Sequence, residues 1–100
     1  PFGKMARIIF RSPHEDKTKE KSSLVVDKLK EIAKTQGNQL QILGPSPAPM
    51  TKINNLFRWH ILLKAQNQAS IHDALHGVAD MLKPSKTVQT MVDIDPYMML

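Results

Sequence analysis

Apolar and polar residues alternate with a period of two in four segments of the chain, and this alternation predicts four β-strands. The segments span residues 5–11, 39–43, 55–64 and 87–95. One face of each strand is mostly apolar and is expected to enter a core. The inward residues are Ala6, Ile8 and Phe10 in the first strand, Leu40 and Ile42 in the second, Phe57, Trp59, Ile61 and Leu63 in the third, and Val88, Thr90, Val92 and Ile94 in the fourth.

Two further segments repeat apolar residues at helical spacing and predict amphipathic helices over residues 21–35 and 68–83. Gly37 supplies the stop of the first helix, and Pro84 lies just beyond the second. Residues 12–15 have the composition of a capping box, yet residues 16–23 offer no apolar side chain for packing. We expect a mobile polar loop before the first helix, with a frayed helical turn as the alternative.

Prolines occupy alternate positions in the segment 44–49, at Pro45, Pro47 and Pro49. Each of them lacks the N–H that a helix or a central strand needs. The segment is therefore predicted to be an extended connector between the second and third strands.

The predicted order β-α-β-β-α-β is typical of a two-layer α+β sandwich, in which a four-stranded antiparallel sheet carries two helices on one face. With 100 residues, the chain has room for one such domain. The other face of the sheet is then open. In the usual strand order the first and third strands are central neighbours on it.

This open face is predicted to be basic. It receives Arg7, Ile9 and Arg11 from the first strand and Arg58, His60, Leu62 and Lys64 from the third. The formal net charge is +5, and no acidic residue occurs between Glu31 and Asp73, a span that also contains Lys52. Such asymmetry favours a polyanion or an acidic peptide as partner. The candidate binding residues are Arg58, Arg7, Arg11, His60, Lys64 and Lys52.

Two observations limit this interpretation. Asp93 and Asp95 lie on the outward face of the fourth strand, so a salt bridge from Arg58 to either carboxylate could close the open face. Phe57 and Trp59 point inward by parity, whereas proteins that bind single-stranded nucleic acid usually stack bases on exposed aromatic side chains. A dedicated base-stacking sheet is therefore not expected.

The composition excludes several kinds of catalytic site. The chain has no cysteine, which rules out a disulfide, a thiolate zinc site and a cysteine nucleophile. Its four glycines are scattered, so no phosphate-binding loop is present. His72 and His76 stand four residues apart on a helix without the His-Glu-x-x-His pattern, and we expect a solvated pair. No catalytic residue, cofactor or metal is therefore assigned.

Other features concern the whole chain. No apolar run approaches the ~20 residues of a membrane span, so a soluble domain with no membrane partner is expected. The sequence opens with Pro1 and Phe2 instead of an initiator methionine. We expect a fragment of a longer protein.

Three motifs stand in fixed order along the chain: Leu43 to Pro49, Phe57 to Leu63, and Val92 to Pro96. With the initial Pro-Phe, they resemble the C-terminal domain of the PriA family, the bacterial replication-restart helicases also named primosomal protein N′. The resemblance covers nearly the whole chain. The matching motif positions are Gly44, Pro45, Pro47, Pro49, Arg58, Asp93, Asp95 and Pro96.

The resemblance implies a fold similar to ribosomal protein S10 and a parent protein that is an ATP-driven 3′ to 5′ DNA helicase of the bacterial cytoplasm. It implies that ATP, Mg²⁺ and zinc bind in other domains of the parent. The implied partners are forked or single-stranded DNA, single-stranded DNA-binding protein and the helicase core of the same chain. The connector 44–49 is expected to fix a docking surface against that core.

Three hypotheses follow. The first is an accessory DNA-binding domain of the helicase. The second is an interaction module that captures the acidic tail of single-stranded DNA-binding protein. The third is a structural brace for the helicase lobes that binds neither ligand on its own.

Overall fold

The computed structural model describes residues 3–37 and 39–94. The elements follow in the order β1 (Lys4–Ser12), α1 (Glu15–Thr35), β2 (Leu40–Ile53), β3 (Leu56–Ala65), α2 (Gln68–Gly77), a 3₁₀ turn (Ala79–Leu82) and β4 (Gln89–Ile94). The strands form an antiparallel sheet in the order β2-β3-β1-β4, so β1 and β3 are central. The predicted α+β sandwich of βαββαβ order is confirmed.

The core lies between the sheet and the two helices. The inward faces of β1 and β3 contribute the largest buried side chains, with Phe10, Ile8, Ile61 and Leu63 fully buried. The helices add Val25, Val26, Leu29 and Ala33 from α1 and Ile71 and Ala74 from α2. Because both described helices pack on the same side, neither of them covers the opposite side of the sheet.

The first helix begins earlier than the sequence pattern indicates. The prediction of a polar loop over residues 16–23 is wrong, since α1 starts at Glu15. Thr18 and Ser22 continue the buried stripe toward the helix start and are fully buried. Their hydroxyls donate to the carbonyl oxygens of His14 (3.0 Å) and Lys19 (2.9 Å), so burial leaves neither hydroxyl unpaired. Two short polar side chains thus serve as core residues.

The second helix is shorter than predicted. Asn67 caps its start by accepting a hydrogen bond from the backbone N–H of Ser70 (2.8 Å). The helix ends at Gly77, six residues before the predicted boundary, and the chain tightens into the 3₁₀ turn. There the N–H of Met81 donates to the carbonyl of Val78 (2.9 Å), which is the i to i−3 pattern of a 3₁₀ helix.

The proline segment is part of the sheet, which corrects its prediction as a connector. It is extended as expected, but β2 runs through it to Ile53 and pairs with β3. The register shifts between Leu43 and Ser46 and again between Pro47 and Lys52. Because β2 is an edge strand, only one of its two sides pairs with another described strand, so it tolerates prolines and register shifts better than a central strand, which is paired on both sides.

The fourth strand starts later than predicted and is less buried. It covers Gln89–Ile94, and Val92, predicted to point into the core, remains 39% exposed. Its position at the sheet edge explains the exposure, since β1 is its only neighbour among the described strands. Asp95 and Pro96 lie outside the described residues.

A two-residue turn joins β2 to β3. Asn54 and Asn55 have φ of 53° and 64°, the left-handed conformation that a tight hairpin turn requires at both positions. Asparagine tolerates this conformation better than most residues. The turn, which we name the hairpin tip, brings β2 back alongside β3 close to Arg58.

Gly44 is expected to be essential for the edge strand. Its φ is 109°, and a Cβ at this position would lie 2.8 Å from the backbone oxygen of His60. Gly44→Ala should therefore lower the free energy of unfolding by about 2–4 kcal/mol in urea denaturation. Gly37→Ala is the matched control, because φ there is 66° and nothing lies within 4 Å of the added Cβ. A loss of about 1 kcal/mol is expected for the control. Equal losses would contradict the account.

Candidate functional site

The register of the two central strands brings five of the six predicted binding residues to one side of the sheet. Arg11 pairs with Arg58, Ile9 with His60, Arg7 with Leu62, and Met5 with Lys64. Successive pairs on one face are about 7 Å apart along the strands. We name this helix-free side the basic face; its charged or titratable residues on β1 and β3 are Arg7, Arg11, Arg58, His60 and Lys64.

Arg11 and Arg58 form a like-charged pair directly across the two central strands. Like charges at opposed positions destabilise a sheet. Neither side chain makes an ion pair within residues 3–37 and 39–94. Arg11 Nε donates to the amide oxygen of Gln89 (2.8 Å), and Arg58 Nη1 donates to the carbonyl oxygen of Pro49 (3.2 Å). Neutral acceptors therefore orient both guanidinium groups without cancelling their charges.

A shallow cleft adjoins this pair at the hairpin tip. It has a volume of about 220 Å³ and is lined by Arg11, Ile53, Asn54, Leu56 and Arg58. The two arginines thus border a concave surface. Such a surface can offer an anion more hydrogen-bond donors than a flat sheet can.

Arg58 does not form the alternative salt bridge to Asp93. Arg7 instead forms an ion pair with Asp93 across the β1–β4 pair, and its Nη2 lies 3.2 Å from Asp93 Oδ2. Both partners are exposed to solvent, so the bridge adds little stability. Its effect is to neutralise Arg7 in part while leaving Arg11 and Arg58 without an acidic partner in the described part of the chain. The alternative bridge to Asp95 lies outside the described residues.

His60 lies on the basic face between two arginines. Partial burial lowers the pKa of His60 below its ordinary value of 6.5, and the positive charges of Arg7 and Arg58 lower it further. The neutral form of the imidazole is therefore favoured at pH 7. Its Nδ1 is buried and has no hydrogen-bond partner among the described residues. An anion that reached the arginines would remove the electrostatic part of this effect and favour protonation.

Apolar side chains run through the middle of the basic face. Leu43 of β2 pairs with Leu62 of β3, and Met91 of β4 pairs with Ile9 of β1. Ile9 is buried, while Leu43 and Met91 are 37% and 47% exposed. The face therefore offers apolar contacts beside its cations.

Lys52, the sixth predicted binding residue, lies away from the other five. It pairs with Phe57, and its Nζ is 5.0 Å from the centroid of the phenyl ring. Phe57 belongs to the helix side of the sheet. Lys19 of α1 makes a similar contact, with Nζ 5.6 Å from the centroid of Trp59. The sequence pattern missed Lys19 because its segment was predicted to be a loop.

The family-motif residues also come together in part. The Arg58–Pro49 hydrogen bond joins the second motif to the proline segment, and Gly44 packs against the backbone of His60. Asp93 of the third motif reaches the basic face through Arg7. Motifs far apart in sequence thus meet around one sheet face.

Neither a metal centre nor a spanning helix is found in the part of the chain that the structure describes. No three histidine, cysteine or acidic side chains come close enough together to hold a metal ion. Neither described helix combines the length and apolar composition needed to cross a membrane.

Solved structures with similar folds include designed proteins. The de novo designed protein Foldit4 matches with a TM-score of 0.61 and 16% identity, covering 93% of this chain and 96% of that one. A designed protein with a ferredoxin fold matches with a TM-score of 0.60 and 11% identity, over 94% of this chain and 85% of that one. At these identities the likeness concerns the fold alone.

Three bacterial proteins that are similar to this chain in sequence share one name. The replication restart protein PriA of Borreliella burgdorferi is 30% identical over the whole of this chain, and that of Haemophilus influenzae is 30% identical over 96% of it. The Bacillus subtilis protein of the same name is 26% identical over 80%. This chain spans 15%, 13% and 10% of these relatives, respectively.

The family model described as the primosomal protein N C-terminal domain matches residues 1–97. The match includes every strand and helix of the described fold and all of the residues of the basic face. The chain belongs to the PriA C-terminal domain family.

Proposed function

We propose that this chain is an accessory DNA-binding domain of a replication-restart helicase and that it contacts forked or single-stranded DNA through its basic face. The observation that carries the proposal is the opposed pair Arg11–Arg58, whose charges are left without a described acidic partner. A sheet that keeps like charges adjacent loses stability, and a polyanionic ligand relieves this repulsion.

The geometry suits phosphate groups better than a single small anion. Arg58 and His60 occupy alternate positions of β3, about 7 Å apart, and Lys64 follows four residues after His60, about 13 Å further along the strand, with Arg11 and Arg7 beside them on β1. A row of donors at this spacing can contact successive phosphates of a strand. Such contacts supply affinity and position without reading sequence.

The wider role rests on family membership. The chain spans a small part of its relatives, which are named replication restart proteins. We infer that the parent protein is an ATP-driven bacterial helicase acting in the cytoplasm, and that its ATP, Mg²⁺ and zinc sites lie in other domains. The basic face then adds DNA contacts to an enzyme whose chemistry takes place elsewhere.

Removing the central arginine should weaken DNA binding. In fluorescence anisotropy with forked and single-stranded DNA, Arg58→Gln is expected to reduce affinity several-fold. The slope of log affinity against log salt concentration should fall by about 1, because one phosphate contact is lost. Arg11→Gln should have a similar effect.

Lys30→Gln is the matched control for these variants. It removes the same unit charge from the exposed side of α1, away from the basic face. The DNA affinity of this variant, and the slope of log affinity against log salt concentration, should stay close to those of the unsubstituted chain. If Arg58→Gln and Lys30→Gln behave alike, net charge rather than the basic face governs binding and the proposal fails.

DNA binding should also be accompanied by proton uptake at His60. The free chain holds the pKa of His60 below 6.5, and nearby phosphates should raise it. Affinity should therefore increase as pH falls through the bound-state pKa and level off below the free-state pKa. Anisotropy titrations between about pH 5 and 8 would measure the effect, with NMR following the imidazole signals.

His60→Gln serves as the control for proton uptake. It removes the titrating group while keeping a polar side chain, so the pH dependence of affinity should become flatter. The exposed His72 on α2 remains in both proteins and supplies an internal reference signal. A His60 pKa that does not rise when DNA is added would contradict the predicted phosphate contact.

A second candidate function is capture of the acidic tail of single-stranded DNA-binding protein. The exposed Leu43 and Met91 favour it, because they place apolar surface beside arginines on one face. An acidic peptide with apolar residues would use both features, whereas phosphates would use only the cations. The third hypothesis, a structural brace for the helicase lobes that binds neither ligand on its own, remains a prediction, as does docking of residues 44–49 against the helicase core.

Substitutions of apolar residues should separate the two ligands. Leu43→Ser should weaken a peptide of several aspartates followed by apolar residues by about tenfold, because the leucine contact is lost. Its affinity for single-stranded DNA should stay unchanged. Leu24→Ser is the matched control, since Leu24 is 52% exposed on α1. Equal peptide affinities for both variants would rule out a site at Leu43.

A further inference from the structure

The two aromatic residues of β3 lie on the helix side near the hairpin tip, close to the basic face but on the other surface of the sheet. Phe57 pairs with Ser12 and Trp59 with Phe10, which is part of the core. As residues two apart on one strand, their side chains emerge about 7 Å apart on the same surface.

Neither aromatic residue is fully buried. Both are half-buried, in contrast to Ile61 and Leu63, which follow them on the same face and are fully buried. The indole Nε1 of Trp59 is inaccessible to solvent. The polar atom of the indole therefore makes no contribution to the exposed part of Trp59, and a base could contact this residue only through its non-polar atoms.

A cation lies over each ring. Lys19 Nζ is 5.6 Å from the Trp59 centroid and Lys52 Nζ is 5.0 Å from the Phe57 centroid. Such contacts are weak at exposed sites, and both lysines have flexible side chains that can turn toward a phosphate. An aromatic ring beside a mobile cation is the combination that holds one nucleotide by its base and its backbone together.

We propose that Phe57 and Trp59 form a stacking site for the bases of single-stranded nucleic acid, with Lys52 and Lys19 contacting the adjoining phosphates. This inference rests on the proposed DNA binding. It adds a second contact surface, because Arg58 lies between Phe57 and Trp59 in sequence and points to the opposite side of the sheet. A single strand that passes the hairpin tip would meet phosphate donors on one side and aromatic rings on the other.

The test uses the intrinsic fluorescence of Trp59, which is the sole tryptophan of the chain. A thymidine oligonucleotide of about ten nucleotides should bind in anisotropy and quench this fluorescence. An abasic oligonucleotide of equal length presents the same phosphates without bases. It should bind more weakly and leave the fluorescence almost unchanged.

The outcomes separate this inference from the proposed function. Binding of both oligonucleotides with no quenching, or with equal quenching, would overturn the stacking site while leaving DNA binding intact. No binding of either at low salt would overturn both proposals. Quenching by the thymidine oligonucleotide alone would support both.

Phe57→Leu provides a second measurement. Leucine keeps an apolar side chain over the same surface but removes the aromatic ring. The affinity for the thymidine oligonucleotide should fall by about tenfold, and that for the abasic oligonucleotide should not change. Lys30→Gln, on the exposed side of α1, should not lower the affinity for one oligonucleotide more than the affinity for the other. Equal losses for the two oligonucleotides in Phe57→Leu would contradict base stacking.

Discussion

The antiparallel pairing of β1 with β3 is the constraint on which the rest of the structure depends. It places Ile8 beside Ile61 and Phe10 beside Trp59 under the helices, and in the same register it opposes Arg11 and Arg58 on the other side. Because side chains alternate along a strand, a slip of one residue would send the arginines into the core. The apolar core therefore fixes the register that holds the like-charged pair together.

Two opposing contributions to the free energy of folding therefore act on the β1–β3 pair. Burial of apolar side chains on the helix side stabilises the register, and repulsion between guanidinium groups on the other side weakens it. Gln89 and the carbonyl of Pro49 orient the arginines without neutralising them. Of the basic-face residues, only Arg7 forms an ion pair within the described part of the chain, and that bridge is solvent-accessible. The basic face consequently keeps the charges of Arg11 and Arg58 without neutralisation by any described residue.

The periodicity of the sequence predicts which residues share a face of each strand, because strand parity follows directly from apolar alternation, and the usual strand order of a βαββαβ sandwich then predicts that the basic residues of β1 and β3 are neighbours. It could not predict the start of α1, since Thr18 and Ser22 are polar residues whose hydroxyls are satisfied by the helix backbone. The proline pattern predicts a connector outside the sheet, whereas the segment belongs to an edge strand, because an edge position is a property of the whole fold and is not encoded in the segment. The pairing of Asp93 with Arg7 instead of Arg58 likewise depends on the β1–β4 register, which no local pattern encodes.

An NMR titration of the isotopically labelled chain with single-stranded DNA tests the central claim most directly. The account predicts that the side-chain Nε–Hε signals of Arg11 and Arg58 and the imidazole signals of His60 shift together and saturate at one DNA concentration. Signals of Lys30 on the exposed side of α1 should stay in place. Shifts confined to the exposed surfaces of α1 and α2, with the arginine signals unchanged, would contradict it.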